Sequence, residues 1–184
     1  VMVLPVVMFV MILVVEAALV MTAKNGVTYA AFAAARAAAV WLPASGPEIA
    51  QEKAREAAVV ALAAFANGIN QPELRASDGA LEDAFVSLYR EATDDPAAEN
   101  YLRRKFRAAV EATSVELEES PADGEPWRRD VTAIVRFRYK FHLPITARLL
   151  GRSDGRAPLV SRATLALEIP QNADGALGIS YASP

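Results

Sequence analysis

Among the residues whose types could do chemistry, one acid stands apart. Glu16 is the only charge in the opening run VMVLPVVMFVMILVVEAALVM. An acid near the centre of a bilayer-spanning helix costs roughly 2.5–3.5 kcal/mol even on the most lenient insertion scale. Two roles follow. Glu16 is either a pairing group that sets register against a neighbouring helix once lipid is left behind, or a carboxylate at the end of a span reaching for the interface. Lys24 lies two turns on, too far for a direct pair on the same helix face.

The second candidate is a cationic row. Arg136, Arg138, Lys140 and His142 alternate with Val135, Phe137, Tyr139 and Phe141, so a strand here presents them on one face. Such a stripe is a candidate anionic-ligand face for polysaccharide, nucleic acid or phospholipid. Cross-strand pairing with Glu116, Glu118 and Glu168 accounts for the same charges by ordinary sheet chemistry and is the favoured reading. Arg103, Arg104, Lys105 and Arg107 read as a solvated helix face. Asp78, Glu82, Asp83, Asp94 and Asp95 occupy helix-start and turn settings, where carboxylates cap.

Catalytic patterns are lacking. His142 is the one histidine and there is no cysteine, so thiolate chemistry and disulfides are excluded and a zinc site has too few ligands. No glycine-rich phosphate loop and no His-Glu-x-x-His helix occurs. A formal net charge of -3 gives no bulk attraction to nucleic acid. The reading is therefore of a protein that is not an enzyme and needs no cofactor.

The elements that must position these groups fall into two parts. Hydrophobic residues make up 53% of the chain, and the excess sits in the first forty positions while charge gathers after Pro47. Val1 to Met21 is long enough to cross ~30 Å of hydrocarbon. Helical character continues through the alanine run Ala30 to Ala39, so one rod is expected from Val1 to about Leu42, with a kink near Pro5 and a loosened middle at Asn25-Gly26. The chain opens at Val1 inside this run, and further residues upstream are expected. Small residues allow close helix contacts. Pro5, Glu16, Ala30, Ala34, Ala37 and Trp41 are the expected helix-packing and assembly positions.

Residues 1–43 are thus expected to form a transmembrane or filament-core helix, and 44–184 an extracytoplasmic domain. Pro43 to Pro47 breaks the rod. Ser45 with Glu48 has the capping-box pattern and predicts a helix from Gly46 or Pro47 to Asn67-Gly68, with Ile49, Val60, Ala61, Ala64 and Phe65 on its apolar side. Gln71 to Gly79 reads as a polar loop. A helix over Ala80 to Glu91 turns Leu81, Ala84, Phe85, Leu88 and Tyr89 inward. Asp95-Pro96 starts another, running to Ala112. Period two then takes over: Ser114 to Glu118, a turn at Pro121 to Pro126, a long strand over Val131 to His142, a turn at Gly151 to Gly155, and a final strand carrying Ala163, Leu165, Leu167 and Ile169. Helices followed by consecutive strands give an α+β fold with a small antiparallel sheet.

The N-terminal stretch resembles the TadE-like family of pilin-related proteins of the tight-adherence (Tad) pilus system. The matching features are Val3-Leu4-Pro5 at the entry of the apolar helix, Glu16 about three turns later, and the continuation Ala33-Ala34-Ala35-Arg36-Ala37-Ala38. Val131 to Val135, His142-Leu143-Pro144, Leu149-Leu150-Gly151 and Ser161 to Glu168 follow the family's C-terminal order. The resemblance implies a pilin-like fold and a minor pilin or pseudopilin role in pilus assembly and adhesion. It also implies sister subunits as partners, the bacterial inner membrane before assembly and the cell surface after it, and cleavage by a prepilin peptidase upstream of Val1. Lys24 and Arg36 after the span argue by charge for a cytoplasmic C-terminal side; the resemblance implies the opposite. A single-pass anchor carrying a binding domain, outside any filament, is the alternative.

Overall fold

A computed structural model describes residues 3–67, 79–93, 98–121, 128–149 and 154–168. Helix α1 runs unbroken from Val3 to Ser45, 43 residues or roughly 65 Å, and passes through Pro5 as one element. Its end is set by Gly46, whose φ of 86° and ψ of 175° suit only a residue without a side chain. The Gly46 N–H still donates to the Leu42 carbonyl at 3.2 Å, and the Gly46 carbonyl accepts from the Ala50 N–H at 3.1 Å. Helix α2, Pro47–Ala63, follows at once, with proline in its first turn and no side-chain cap bond. The Ser45–Glu48 capping box is therefore corrected: Ser45 is still inside α1, and glycine geometry makes the corner.

Helix α2 folds back along α1 as an αα-hairpin. Its buried face is Ala50, Ala54, Ala58, Val59, Leu62 and Ala63, whereas Ile49 and Val60 remain exposed. The expected apolar side was off in phase. Small side chains won the contact because the facing stretch of α1 is itself alanine, so the two backbones approach closely where bulkier residues would hold them apart. Gly26 belongs to the same seam. It is buried, and a Cβ there would run into the ring of Phe65 just beyond α2. The expected loosening at Asn25-Gly26 is corrected: the glycine is a contact site.

Helices α3 (Gly79–Thr93) and α4 (Glu99–Ala112) lead into strands β1 (Thr113–Pro121) and β2 (Arg128–Lys140), the short helix α5 (Pro144–Leu149) and strand β3 (Arg156–Glu168). The sheet is antiparallel in the order β1-β2-β3, with Val115 opposite Val135 and Val135 opposite Ser161. Period two holds along β2: Val131, Ala133, Val135, Phe137 and Tyr139 are buried, Arg136 and Arg138 exposed. Ile134 departs from the pattern, buried on the outer face between Glu116 and Arg162 in register. Helix α1 packs across β2 and β3, and α2 against β1 and α4, so the helices cover one face of the sheet. The fold is α+β and pilin-like in plan, as expected.

Three local expectations shift. Strand β3 begins at Arg156, well before Ala163, and helix α5 occupies Pro144–Leu149, between the long strand and the 151–155 turn, where no element was expected. Helix α3 buries Glu82, Phe85 and Val86 but leaves Leu88 68% exposed. The expected loop at 71–78, the Asp95-Pro96 start, the turn core at 122–126, most of the 151–155 turn and Ile169 lie outside the described residues.

Candidate functional site

The rod of α1 has two environments. Between Val3 and Val15 its exposed large apolar side chains are 45–73% accessible. From Ala23 to Ala38 one side is fully buried by α2 and the sheet. This helix alone, among the described residues, is long and apolar enough to cross a membrane. It is a candidate membrane anchor, and its stretch richest in exposed apolar side chains is Val3–Val15, before Glu16. The boundary expected at residue 43 therefore does not divide two packed bodies, since the alanine-rich half of the rod is the spine of the globular part.

Glu16 is a buried position between exposed neighbours on the rod. It is 4% exposed, and its Oε1 accepts a 3.0 Å hydrogen bond from the backbone N–H of His142, just past the end of β2. His142 Nδ1 lies 3.6 Å from the same oxygen and 3.1 Å from the Tyr139 hydroxyl. Burial, with the Glu16 charge adding to it, pushes the Tyr139 phenol up to about 12. A lone acid in an apolar helix has thus become part of a polar cluster joining α1 to the sheet, 126 residues away in sequence. Both roles expected for Glu16 looked outward. Here it bonds inward, and the His142 N–H gives the buried carboxylate a charge-assisted hydrogen bond.

The remaining predicted assembly residues divide. Ala30 and Ala34 are fully buried inside the subunit, so their close packing serves the chain's own α1–α2–sheet contact. Pro5 is exposed on the bare rod. Ala37 and Trp41 line an open groove with Tyr29, Ala33 and Val60, about 460 Å³ in volume, between α1 and α2.

Two arginines of the cationic face are engaged. Arg136 meets Glu116 at 2.6 Å and Arg138 donates to the Glu111 carbonyl at 3.0 Å, whereas Lys140 stands in register opposite another cation, Arg156, which lies 3.8 Å from Glu111. Of the partners expected across the strands, Glu116 serves. Glu111 at the end of α4 takes the place that the sequence reading gave to Glu118 and Glu168.

One cluster was missed. Glu82, 2% exposed, accepts from Arg107 Nε at 2.9 Å and Nη2 at 2.9 Å, and from Arg103 Nη1 at 3.2 Å. Arg103 also reaches Asp83 at 2.7 Å and Glu99 at 3.1 Å. Those carboxylates, Asp83 first, hold the Arg103 guanidinium well above its ordinary value, and the bonds to Glu82 raise that of Arg107. Arg103 and Arg107 are therefore corrected from a solvated face to the clamp that docks α3 on α4. The readable signal was phase: Glu82, Phe85, Val86 and Tyr89 share a helix face. Among the described residues, no three His, Asp or Glu side chains come together as a metal site.

Comparison with known families adds one finding. Residues 1–36 match the model of the family described as TadE-like protein, so the N-terminal segment is TadE-like, in line with the Val3-Leu4-Pro5, Glu16 and alanine-run resemblance. Comparison with curated proteins and with solved structures gives no match.

Proposed function

We propose that this chain is a minor pilin or pseudopilin, a structural subunit of a Tad-type filament or of its assembly complex, without enzymatic activity. The observation that carries the reading is the bare apolar rod Val3–Val15 within a TadE-like segment. Such a surface is stable in lipid or against other helices and costly in water. Before assembly the rod sits in the bacterial inner membrane as a single pass, with the α+β domain on the extracytoplasmic side. On assembly, contacts with sister subunits replace lipid around Val3–Val15, and the subunit supports pilus biogenesis and surface adhesion. Prepilin-peptidase processing belongs to the same reading through the family resemblance.

A second reading draws on a specific observation. The alanine run is consumed inside the subunit, so it no longer distinguishes a filament subunit from a membrane-anchored binding domain that never leaves the bilayer. Imaging of purified surface filaments and their bases with an antibody to the globular domain separates the two. Labelling along the shaft, at the tip or at the base is the expected result. Absence from all three, with the chain recovered only in the inner membrane, refutes the pilin reading.

A further inference from the structure

Glu16 is a single buried position on an exposed stretch of the rod: Leu19 and Met21 beyond it are 39% and 70% exposed. Val14 and Val15 are 63% and 58% exposed, and the next residue is buried with its carboxylate on the His142 N–H. The base of the globular part is thereby pinned to the rod at one level. Leu143, beside the pin, is 38% exposed, and Arg148 on α5 is exposed as well. A cleft of about 190 Å³ opens along the rod just above, lined among others by Leu19, Thr22, Tyr101, Lys105, Tyr139 and His142.

We infer that the Glu16–His142 contact is a depth stop: it seats the base of the domain on the bilayer surface, where Leu143, Tyr101 and Lys105 meet phospholipid headgroups. This deepens the membrane stage of the proposed function and rests on it. Sinking the rod further drags the pinned end of β2 and the Arg148 charge into hydrocarbon, and raising it puts Val14 and Val15 into water. Both moves are unfavourable, so the depth is bounded from two sides. The heights agree. At 1.5 Å per residue, Leu19 and Thr22 lie roughly 4.5 and 9 Å above Glu16. A headgroup layer is roughly 5–8 Å thick on each side of the hydrocarbon. The lower end of the cleft, at Leu19, therefore falls in that layer, and its upper end, at Thr22, reaches the outer edge. Tyr101, 46% exposed, and Lys105, which spends one proton on the Ala64 carbonyl at 2.7 Å and holds its ammonium 5.4 Å from the Tyr101 ring centroid, are the side-chain types that interfaces favour.

The absence of cysteine makes the test clean. Full-length Val10→Cys, Leu143→Cys, Tyr101→Cys and Glu118→Cys variants, each carrying a nitroxide, are placed in phosphatidylcholine–phosphatidylglycerol nanodiscs. Collision with oxygen and with a water-soluble nickel chelate then reads depth. Expected is hydrocarbon depth at Val10, headgroup depth with lost nickel access at Leu143 and Tyr101, and full nickel access at Glu118. Nickel access at Leu143 equal to that at Glu118, with Val10 in hydrocarbon, overturns the depth stop and leaves the membrane reading intact. Val10 in water overturns both. Adding Glu16→Leu to the Leu143→Cys variant is expected to spread the label over a range of depths; a depth unchanged by that substitution also overturns the inference.

Discussion

Replacing Gly26 by alanine tests the packing of the rod, because two effects of opposite sign compete there. In an ordinary helix interior Gly→Ala stabilises by about 1 kcal/mol, since glycine has the more mobile unfolded backbone. Here the new Cβ meets the Phe65 ring edge-on. Overpacking a tight seam costs about 1–3 kcal/mol, and the ring sits in the turn closing α2, where the Phe65 N–H is held at 2.9 Å by the Leu62 carbonyl. The steric effect outweighs the gain, and Gly26→Ala destabilises the chain by up to about 2 kcal/mol, lowering the melting temperature by up to about 8 °C. In a Phe65→Ala background the obstacle is gone, and the same substitution stabilises by about 0.5–1 kcal/mol. Denaturant unfolding of the full chain in detergent micelles, with amide exchange across the middle of α1, measures all four corners of the cycle. If Gly26→Ala stabilises equally in both backgrounds, the seam is not packed as described.

Three further outcomes follow from the polar contacts. Glu82→Ala strips the α3–α4 clamp and costs about 2–4 kcal/mol, below the full value of a buried pair because Arg103 and Arg107 are 30% and 33% exposed; amide exchange in α3 rises before that in β2. Arg136→Ala changes stability by under about 0.5 kcal/mol, since both it and Glu116 are half exposed; a larger loss in chemical denaturation contradicts the assignment of this pair to the surface. The Tyr139 phenol is raised in the folded chain from 10.0 to about 12, so the unfolded chain gives up this proton first. The resulting contribution to stability is complete below pH 10 and declines as pH climbs toward 12. Alkaline denaturation of Tyr139→Phe should lack that part of the slope.

Much of the architecture was legible because it is written in period and length. The apolar rod, the helices α2, α3 and α4 and the inward row Val131 to Tyr139 each repeat a pattern that only one backbone geometry satisfies. Residue type without phase misleads at three places. Charge alone makes Glu82 a cap, although it shares a face with Phe85 and Val86. Size alone turns Ile49 and Val60 inward, although the partner surface is alanine. Ser45 has a capping side chain, although Gly46 next to it makes the corner unaided.

Sequence by itself determined that an apolar helix with one acid leads into an α+β domain, because burial pattern and hydropathy are local properties of the chain. Tertiary structure alone decided where the alanines and the acid would be used. Whether Ala30 and Ala34 pack against a sister subunit or against α2 depends on the turn at Gly46, which folds the chain back along itself. Whether Glu16 faces a neighbour or His142 depends on a contact 126 residues long. Such pairings are settled by which surfaces the fold brings together, and no local pattern encodes them.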